Sequence, residues 1–145
     1  MKNFKMLFSI AFIALCGCSK DDRYEYVPNE NILHEWTLVK STGTVAGKTD
    51  EFQNRTIVWK FNKNKTVTII NNNTDENLQS GLASGTYPYI IANNPNTAAC
   101  DKKITINTSS KFECIIIDDT NLDINEGGAD GINYHFEKVM PFTIN

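Results

Sequence analysis

Basic clusters, metal-ligand motifs and catalytic signatures are all scarce in this sequence. The formal net charge is −3 at pH 7 and lysine and arginine do not cluster, which argues against nucleic acid as a partner because such partners need a basic surface. His34 and His135 have no cysteine or second histidine at metal-ligand spacing, so we expect no metal and no cofactor. Serine-hydrolase, zinc-protease and phosphate-loop motifs are missing, and we expect that the chain is not an enzyme.

Long apolar runs are missing as well, and the clearest short one lies at the N-terminus. Lys2 and Lys5 precede an apolar stretch at residues 6–15 that only Ser9 interrupts. A helix that crosses a membrane needs about 20 apolar residues, so this stretch is too short to be one. A positive start followed by a short apolar run is typical of a secretory signal peptide, which we assign to residues 1–17.

A cysteine follows this stretch in the pattern that bacterial lipoproteins use for lipid attachment. The pattern is an aliphatic residue, a variable residue, a small residue and then cysteine, and Leu15, Gly17 and Cys18 fit it. Cys16 fits poorly, because the large Leu15 would directly precede it. The sequence therefore predicts cleavage before Cys18, acyl chains on its thiol and a membrane as partner. The alternative is an ordinary signal peptide that is cleaved nearby.

Residues 18–31 are polar and contain Pro28, which is typical of a flexible tether. The charged run Lys20-Asp21-Asp22 resembles the export signal of surface-exposed lipoproteins of Bacteroidota. This resemblance implies an outer-membrane, lipid-anchored protein at the cell surface. The alternative is that these charges only solubilise the tether.

Residues 32–145 are predicted to form one all-β domain. Short runs rich in isoleucine, valine, threonine, tyrosine and phenylalanine alternate with clusters of asparagine, glycine, aspartate and lysine, which is typical of strands joined by turns. About eight antiparallel strands in sequence order have exposed edges unless they close, which predicts an up-and-down β-barrel. The predicted strands are residues 36–41, 55–62, 65–70, 85–92, 103–108, 111–118, 120–125 and 132–139.

The pattern within these segments also predicts loops, edges and inward faces. Residues 43–54 are expected to form a long loop. Pro88 places its strand at an edge or at a bulge, because proline donates no backbone hydrogen bond. In the strand at residues 111–118, Phe112, Cys114 and Ile116 are expected to share one face.

From about residue 33 to residue 139 the chain resembles the lipocalin-like domains of Bacteroidota lipoproteins. The matching segments are residues 36–38, 61–67, 85–87, 120–124 and 134–139. The resemblance implies a small barrel on a lipid anchor. The resemblance does not indicate which ligand the domain binds.

Eight aromatic residues are the candidates for a ligand-binding site inside the barrel. An eight-stranded barrel has an interior that side chains just fill or that holds one small ligand. These residues therefore either line a pocket or fill the core, and small barrels are more often filled. The candidates are Trp36, Trp59, Phe61, Tyr87, Tyr89, Phe112, Tyr134 and Phe136.

Two functions follow, one from an open barrel interior and one from a filled interior. The first, which the resemblance favours, is a lipoprotein that binds a small hydrophobic ligand inside the barrel. The alternative is an interaction lipoprotein with a filled barrel, which binds a protein or glycan partner through the loops at residues 43–54, 71–84 and 93–101.

Two further groups of side chains are candidates for a disulfide or for a metal site. Cys100 and Cys114 are a disulfide candidate in an oxidising compartment, with a thiolate metal pair as the less favoured alternative. Oxygen-bearing residues after position 118 have calcium-loop spacing, but Ile124 stands where such a loop needs glycine, and the alternation also fits a strand with one wet face. These residues are Asp119, Asn121, Asp123, Asn125 and Asp130.

Replacing Cys18 with serine is expected to leave the chain without a lipid, because the acyl chains are carried by this cysteine. Growing cells with a clickable fatty acid and separating the labelled chain on a gel measures acylation directly. Cys16→Ser is the matched control and is expected to keep the label. A Cys18→Ser chain that still carries the label would contradict the assignment.

Overall fold

The structure is a computed structural model, and it describes residues 30–43, 47–94, 100–109, 111–128 and 130–140. The predicted signal peptide, Cys18 and most of the predicted tether lie outside these ranges. Within the ranges, no helix is long and apolar enough to cross a membrane.

The described chain consists almost entirely of β-strands and their connections. A 3₁₀ helix at Glu30–Ile32 precedes the first strand. The strands are β1 (Glu35–Gly43), β2 (Thr49–Glu51), β3 (Ile57–Phe61), β4 (Thr66–Asn71), β5 (Gly85–Asn93), β6 (Lys102–Ile106), β7 (Phe112–Ile117), β8 (Asn121–Glu126) and β9 (Ile132–Lys138).

Eight of these strands form an antiparallel sheet that curls into a nearly closed barrel. Hydrogen-bonded neighbours follow the order β6-β5-β4-β3-β1-β9-β8-β7, and β2 pairs with β1 beside this path. Neighbours are therefore nearly in sequence order, apart from β9 meeting β1. This topology confirms the predicted all-β fold and the predicted up-and-down barrel.

Alternation of apolar and polar residues explains which side of each strand faces inward. In β3, Ile57, Trp59 and Phe61 are buried, whereas Lys60 between them is exposed. The same alternation, with a period of two residues, explains why Leu122 in β8 is buried. Because every strand of the barrel contributes its inward side chains, one hydrophobic core occupies the interior.

β2 lies in the segment that was predicted to be a loop, so the prediction is wrong for residues 49–51. Only Asp50 of its three residues is buried, and Ser41 of β1 lies opposite it. The strand forms because its backbone pairs with β1. A three-residue polar strand has too little alternation for its sequence to reveal it.

Pro88 lies in the middle of β5, which is an inner strand of the sheet. β5 pairs with β4 up to Pro88, opposite Thr66, and with β6 from Tyr89 onward, opposite Ile106. The sequence predicted an edge or a bulge at Pro88, and the edge alternative is wrong because β5 has a neighbouring strand on each side. The proline is accommodated because its missing N–H falls at the end of one ladder rather than inside it.

β7 contains a register shift that changes the predicted inward face. Phe112 pairs with Glu126 of β8, and pairing resumes at Cys114, so one extra residue lies between them. Phe112 and Ile115 are buried, whereas Ile116 is 53% exposed. The prediction that Phe112, Cys114 and Ile116 share a face is wrong, because a bulge shifts the alternation by one residue.

The barrel closes between β6 and β7, and a disulfide lies at this seam. The two strands lie side by side, but they are the two ends of the hydrogen-bonded path. Cys100, just before β6, is bonded to Cys114 in β7, and their Cα atoms are 5.8 Å apart. Asn94 Nδ2 also donates a hydrogen bond to the Glu113 carbonyl oxygen at 3.1 Å. A covalent bond and a side-chain contact therefore hold the barrel together where its ladder ends.

Replacing both Cys100 and Cys114 with serine is expected to lower the free energy of unfolding by about 3 kcal/mol, because the disulfide closes a loop of about 15 residues. Urea unfolding followed by tryptophan fluorescence measures this change. The parent chain under reducing conditions is an independent comparison and should lose a similar amount. Equal stability of the parent and the double variant would show that the disulfide does not stabilise the seam.

Candidate functional site

Seven of the eight candidate aromatic side chains are buried inside the barrel, and Tyr87 is half-buried. Trp59 is at the centre of this group. Its ring centroid lies 5.0 Å from that of Phe136, 6.2 Å from Phe112 and 6.4 Å from Phe61. The fold thus brings together most of the residues that the sequence singled out.

These central rings have no water-sized space beside them. The exposed fraction is 0% for Trp36, Trp59, Phe112 and Phe136. A side chain that lined an open cavity of molecular size would keep accessible surface, since a water-sized probe would reach it. At these four positions the packing matches the filled-core alternative.

Two of the inward aromatic residues form hydrogen bonds with other groups of the barrel. Trp36 Nε1 donates to the Ile32 carbonyl oxygen at 3.0 Å, which fixes the 3₁₀ helix over one end of the core. The Tyr134 hydroxyl donates to Glu126 Oε1 at 2.8 Å, and Lys111 Nζ donates to the same oxygen at 2.6 Å. Burial, reinforced by the Glu126 carboxylate, raises the pKa of Tyr134 well above its usual value, so this hydroxyl remains a donor.

A small part of the interior is polar and unpaired. Ser41 Oγ, Trp59 Nε1 and Gln79 Oε1 are buried without a hydrogen-bond partner among the described residues. Gln79 belongs to the loop at residues 72–84, which packs over this end of the barrel, since a Cβ at Gly81 would lie 3.5 Å from Trp59. Each buried polar atom without a partner lowers the stability of the fold by about 1–3 kcal/mol.

A groove of about 400 Å³ lies on the outside of the barrel beside the junction of β6 and β7, and we call it the seam groove. The disulfide and Ile116 contribute sulfur and apolar surface, and most of the remaining lining is polar. Besides the disulfide, its lining includes Asn94, Glu113, Ile116, Asp123, Asn125 and Asn133.

The bulge in β7 and the turn after β8 shape the seam groove. The bulge brings Cys114 and Ile116 to the outer surface. A Cβ at Gly127 would overlap the carboxyl group of Glu113, so glycine lets that side chain lie against the turn. Gly128 has φ of 91°, a conformation that glycine adopts without steric cost.

Sequence reasoning did not identify the seam groove. Its residues come from β7, β8 and β9, from the turn after β8, and from Asn94 and Cys100 between β5 and β6, so no local pattern contains them. The Gly127-Gly128 pair beside a cysteine-bearing strand was the available signal.

The residues weighed as a calcium loop lie largely on β8. Asn121, Asp123 and Asn125 alternate with buried residues there, as in a strand with one wet face. Asp123 Oδ1 lies 2.8 Å from His135 Nδ1 on β9. In the part of the chain that the structure describes, no group of three or more histidine, cysteine, aspartate or glutamate residues is arranged to hold a metal ion.

A second outer groove, of about 320 Å³, crosses β3 and β4. Glu35 is held there between two cations, with Lys60 Nζ at 2.9 Å from Oε1 and Arg55 Nη2 at 3.8 Å from Oε2. The hydrogen bond from Lys60 is the main cause that lowers the pKa of Glu35. The charges of this groove are thus already engaged with one another, beside the half-exposed Ile70.

Asp50 is a buried carboxylate that ties β2 to the loop at residues 72–84. It accepts a hydrogen bond from the Gln79 N–H at 2.9 Å and lies 3.0 Å from Lys48 Nζ. Lys48 Nζ also donates to the Asn77 carbonyl oxygen at 2.7 Å. These contacts, with the Gln79 amide first, hold the pKa of Asp50 below its usual value.

The stability of the fold is expected to fall as the pH drops below about 4, partly through Asp50, whose pKa is lowered in the folded chain. A carboxyl whose pKa is lower in the folded chain stabilises the fold above its unfolded pKa of about 3.9 and loses this contribution as the pH falls through the folded value. Asp50→Asn is therefore expected to be less stable at neutral pH and to depend less on acid pH.

Urea unfolding at a series of pH values measures both effects. Asp119→Asn, at an exposed carboxyl in the turn between β7 and β8, is the matched control and should keep the acid dependence of the parent. An Asp50→Asn chain with the parent's full acid dependence would contradict the role given to Asp50.

Comparison with known proteins found no matching family model, no matching curated protein and no matching solved structure. The assignment of a function therefore depends on the geometry of the barrel and of its outer surface.

Proposed function

We propose that this chain is a lipid-anchored, surface-exposed outer-membrane lipoprotein of a bacterium, whose filled barrel binds a protein or glycan partner through its outer surface. The lipid anchor is supported by Leu15, Gly17 and Cys18, and the surface location by the charged run at residues 20–22. The mode of binding is supported by the packing of the barrel interior.

The burial of the inward aromatic rings is the observation that carries this proposal. Pockets for small molecules have volumes of about 300–1,000 Å³ and are largely preformed. Trp59 and Phe136, at the centre, have no exposed surface and lie with their ring centroids 5.0 Å apart. A ligand would have to displace several close-packed rings, so we favour the partner-binding function over the small hydrophobic ligand that the sequence first favoured.

The outer surface presents preformed features to a partner. Besides the two grooves, the loop at residues 72–84 is fixed by Asn71, whose Nδ2 donates to the carbonyl oxygens of Ser80 at 3.3 Å and Leu82 at 3.0 Å. A preformed surface loses less conformational entropy on binding than a mobile one. Of the loop at residues 93–101, the segment 95–99 lies outside the described ranges.

The proposal assigns no catalytic step to the chain. His135 contacts Asp123, as in many hydrolases, but the cross-strand neighbours of this pair are Lys40 and Ile116. Neither neighbour carries a hydroxyl or thiol for the histidine to activate. We therefore infer that the His135–Asp123 pair belongs to the outer binding surface.

Photo-crosslinking in living cells tests whether the outer surface binds a macromolecule. A photoreactive amino acid at Ile116, in the seam groove, or at Ile70, in the second groove, is expected to trap a partner as a slower-migrating band. Ile90 is the matched control, because it is equally exposed and lines neither groove. The absence of any partner at both groove positions would contradict the proposal.

A fluorescent fatty acid tests whether the interior accepts an apolar ligand. The parent chain is expected not to bind it, whereas Phe136→Ala should lose roughly 3–5 kcal/mol of stability and open a cavity beside Trp59 that admits a small apolar molecule such as benzene. Phe136→Leu opens a smaller cavity, and it replaces the alanine variant in this test if that variant does not fold. Saturable binding of the fatty acid by the parent chain, with quenching of its tryptophan fluorescence, would favour the ligand-binding function instead.

A further inference from the structure

The seam groove differs from the rest of the outer surface in its origin and in its charge. It lies where β6 and β7 meet without a continuous ladder and where side chains take over the contacts, as Asn94 does on the Glu113 carbonyl oxygen. We propose that the seam groove is the docking site for an extended polypeptide segment of the partner that carries lysine or arginine. This inference rests on the proposed function, since it names the chemistry of the partner that the outer surface binds.

The apolar part of the groove lining suits the stem of a long side chain. The Cys100–Cys114 disulfide and Ile116, which is 53% exposed, provide apolar and sulfur surface. Lysine and arginine bury their methylene stems on such surface while their charged ends stay in a polar environment. A volume of about 400 Å³ is near the lower limit for ligand pockets, so the groove takes side chains of a segment rather than a folded domain.

Two neighbouring side-chain amides line the groove. Asn125 of β8 lies opposite Asn133 of β9. Each amide has both a hydrogen-bond donor and an acceptor, which are the two groups that a peptide backbone presents. An extended segment repeats those groups regularly along its length, so this pair of amides matches a strand-like peptide.

Charge selects which segment fits. Glu113 and Asp123 line the groove, and no lysine or arginine is among its described lining residues. Lys111, just before β7, is already paired with Glu126 at 2.6 Å. Opposite charges attract a partner and hold it in register, and like charges reject the wrong one. A basic segment is therefore favoured and an acidic one excluded.

The two carboxylates of the groove differ in how they are positioned. Asp123 Oδ1 contacts His135 Nδ1 at 2.8 Å, so this carboxylate is already oriented and loses little entropy on binding. The Glu113 side chain is exposed, and its carboxyl group lies beside Gly127. The groove thus combines apolar and sulfur surface, side-chain amides and two carboxylates.

Fluorescence anisotropy with two labelled peptides tests the proposal, using the purified full chain in detergent. A peptide of alternating lysine and threonine is expected to bind saturably, and more weakly as salt is added, whereas a peptide of alternating glutamate and threonine should not bind. The double variant Glu113→Lys, Asp123→Lys is expected to weaken binding of the lysine peptide by about tenfold or more.

A matched double variant separates the groove from the overall charge of the chain. Asp119 and Glu137 are exposed acids outside both grooves and outside the binding loops, and Asp119→Lys, Glu137→Lys changes the net charge by the same amount. It should bind the lysine peptide nearly as well as the parent. Equal losses in the two double variants, or equal binding of the two peptides, would overturn the proposal. Thermal unfolding of each variant checks that it is folded.

The crosslinking experiment distinguishes failure of this inference from failure of the proposed function. A partner trapped at Ile70 but not at Ile116, with no binding of the lysine peptide, would leave an outward-binding lipoprotein and remove the seam groove as its docking site. A glycan trapped at Ile116 would likewise keep the proposed function and overturn the basic polypeptide as the occupant.

Discussion

The close packing of aromatic rings around Trp59 is the interaction on which the rest of the structure depends. Eight strands enclose a space that side chains can just fill, and rings from β1, β3, β5, β7 and β9 occupy it. Such an interior is packed like an organic crystal, so any guest would compete with the contacts that stabilise the fold. In the proposed function, a partner therefore binds the outer surface, where contacts do not disturb the core.

One register shift connects this core with the closure of the barrel and with the seam groove. The bulge in β7 turns Ile115 inward, where it completes the core, and leaves Cys114 and Ile116 on the outside. Cys114 can then reach Cys100 and join β7 to the chain before β6, where the hydrogen-bonded path ends. Ile116 becomes part of the groove beside that bond. The feature that closes the barrel also shapes its candidate docking surface.

Much of the fold could be predicted from the sequence because most strands alternate regularly between apolar and polar residues. β3 and β9 show this period clearly, and their inward residues were identified. The prediction failed where the period breaks: at the bulge in β7, and at β2, which is too short and polar to show a period. The aromatic candidates of the interior could be identified from the sequence because they follow the period. The seam groove could not be identified, because Asn94 and Cys100 lie beside β7 only where the barrel closes.

Fluorine NMR of the chain labelled with 5-fluorotryptophan tests the filled interior most directly. The sequence has two tryptophans, and both Trp36 and Trp59 lie inside the barrel, so each resonance reports on the core. The labelled chain would be titrated with a lipid extract of the membranes in which it is expressed. A filled barrel predicts that both resonances keep their chemical shifts throughout the titration. A saturable shift of either resonance would show that a ligand enters the core and would contradict the account.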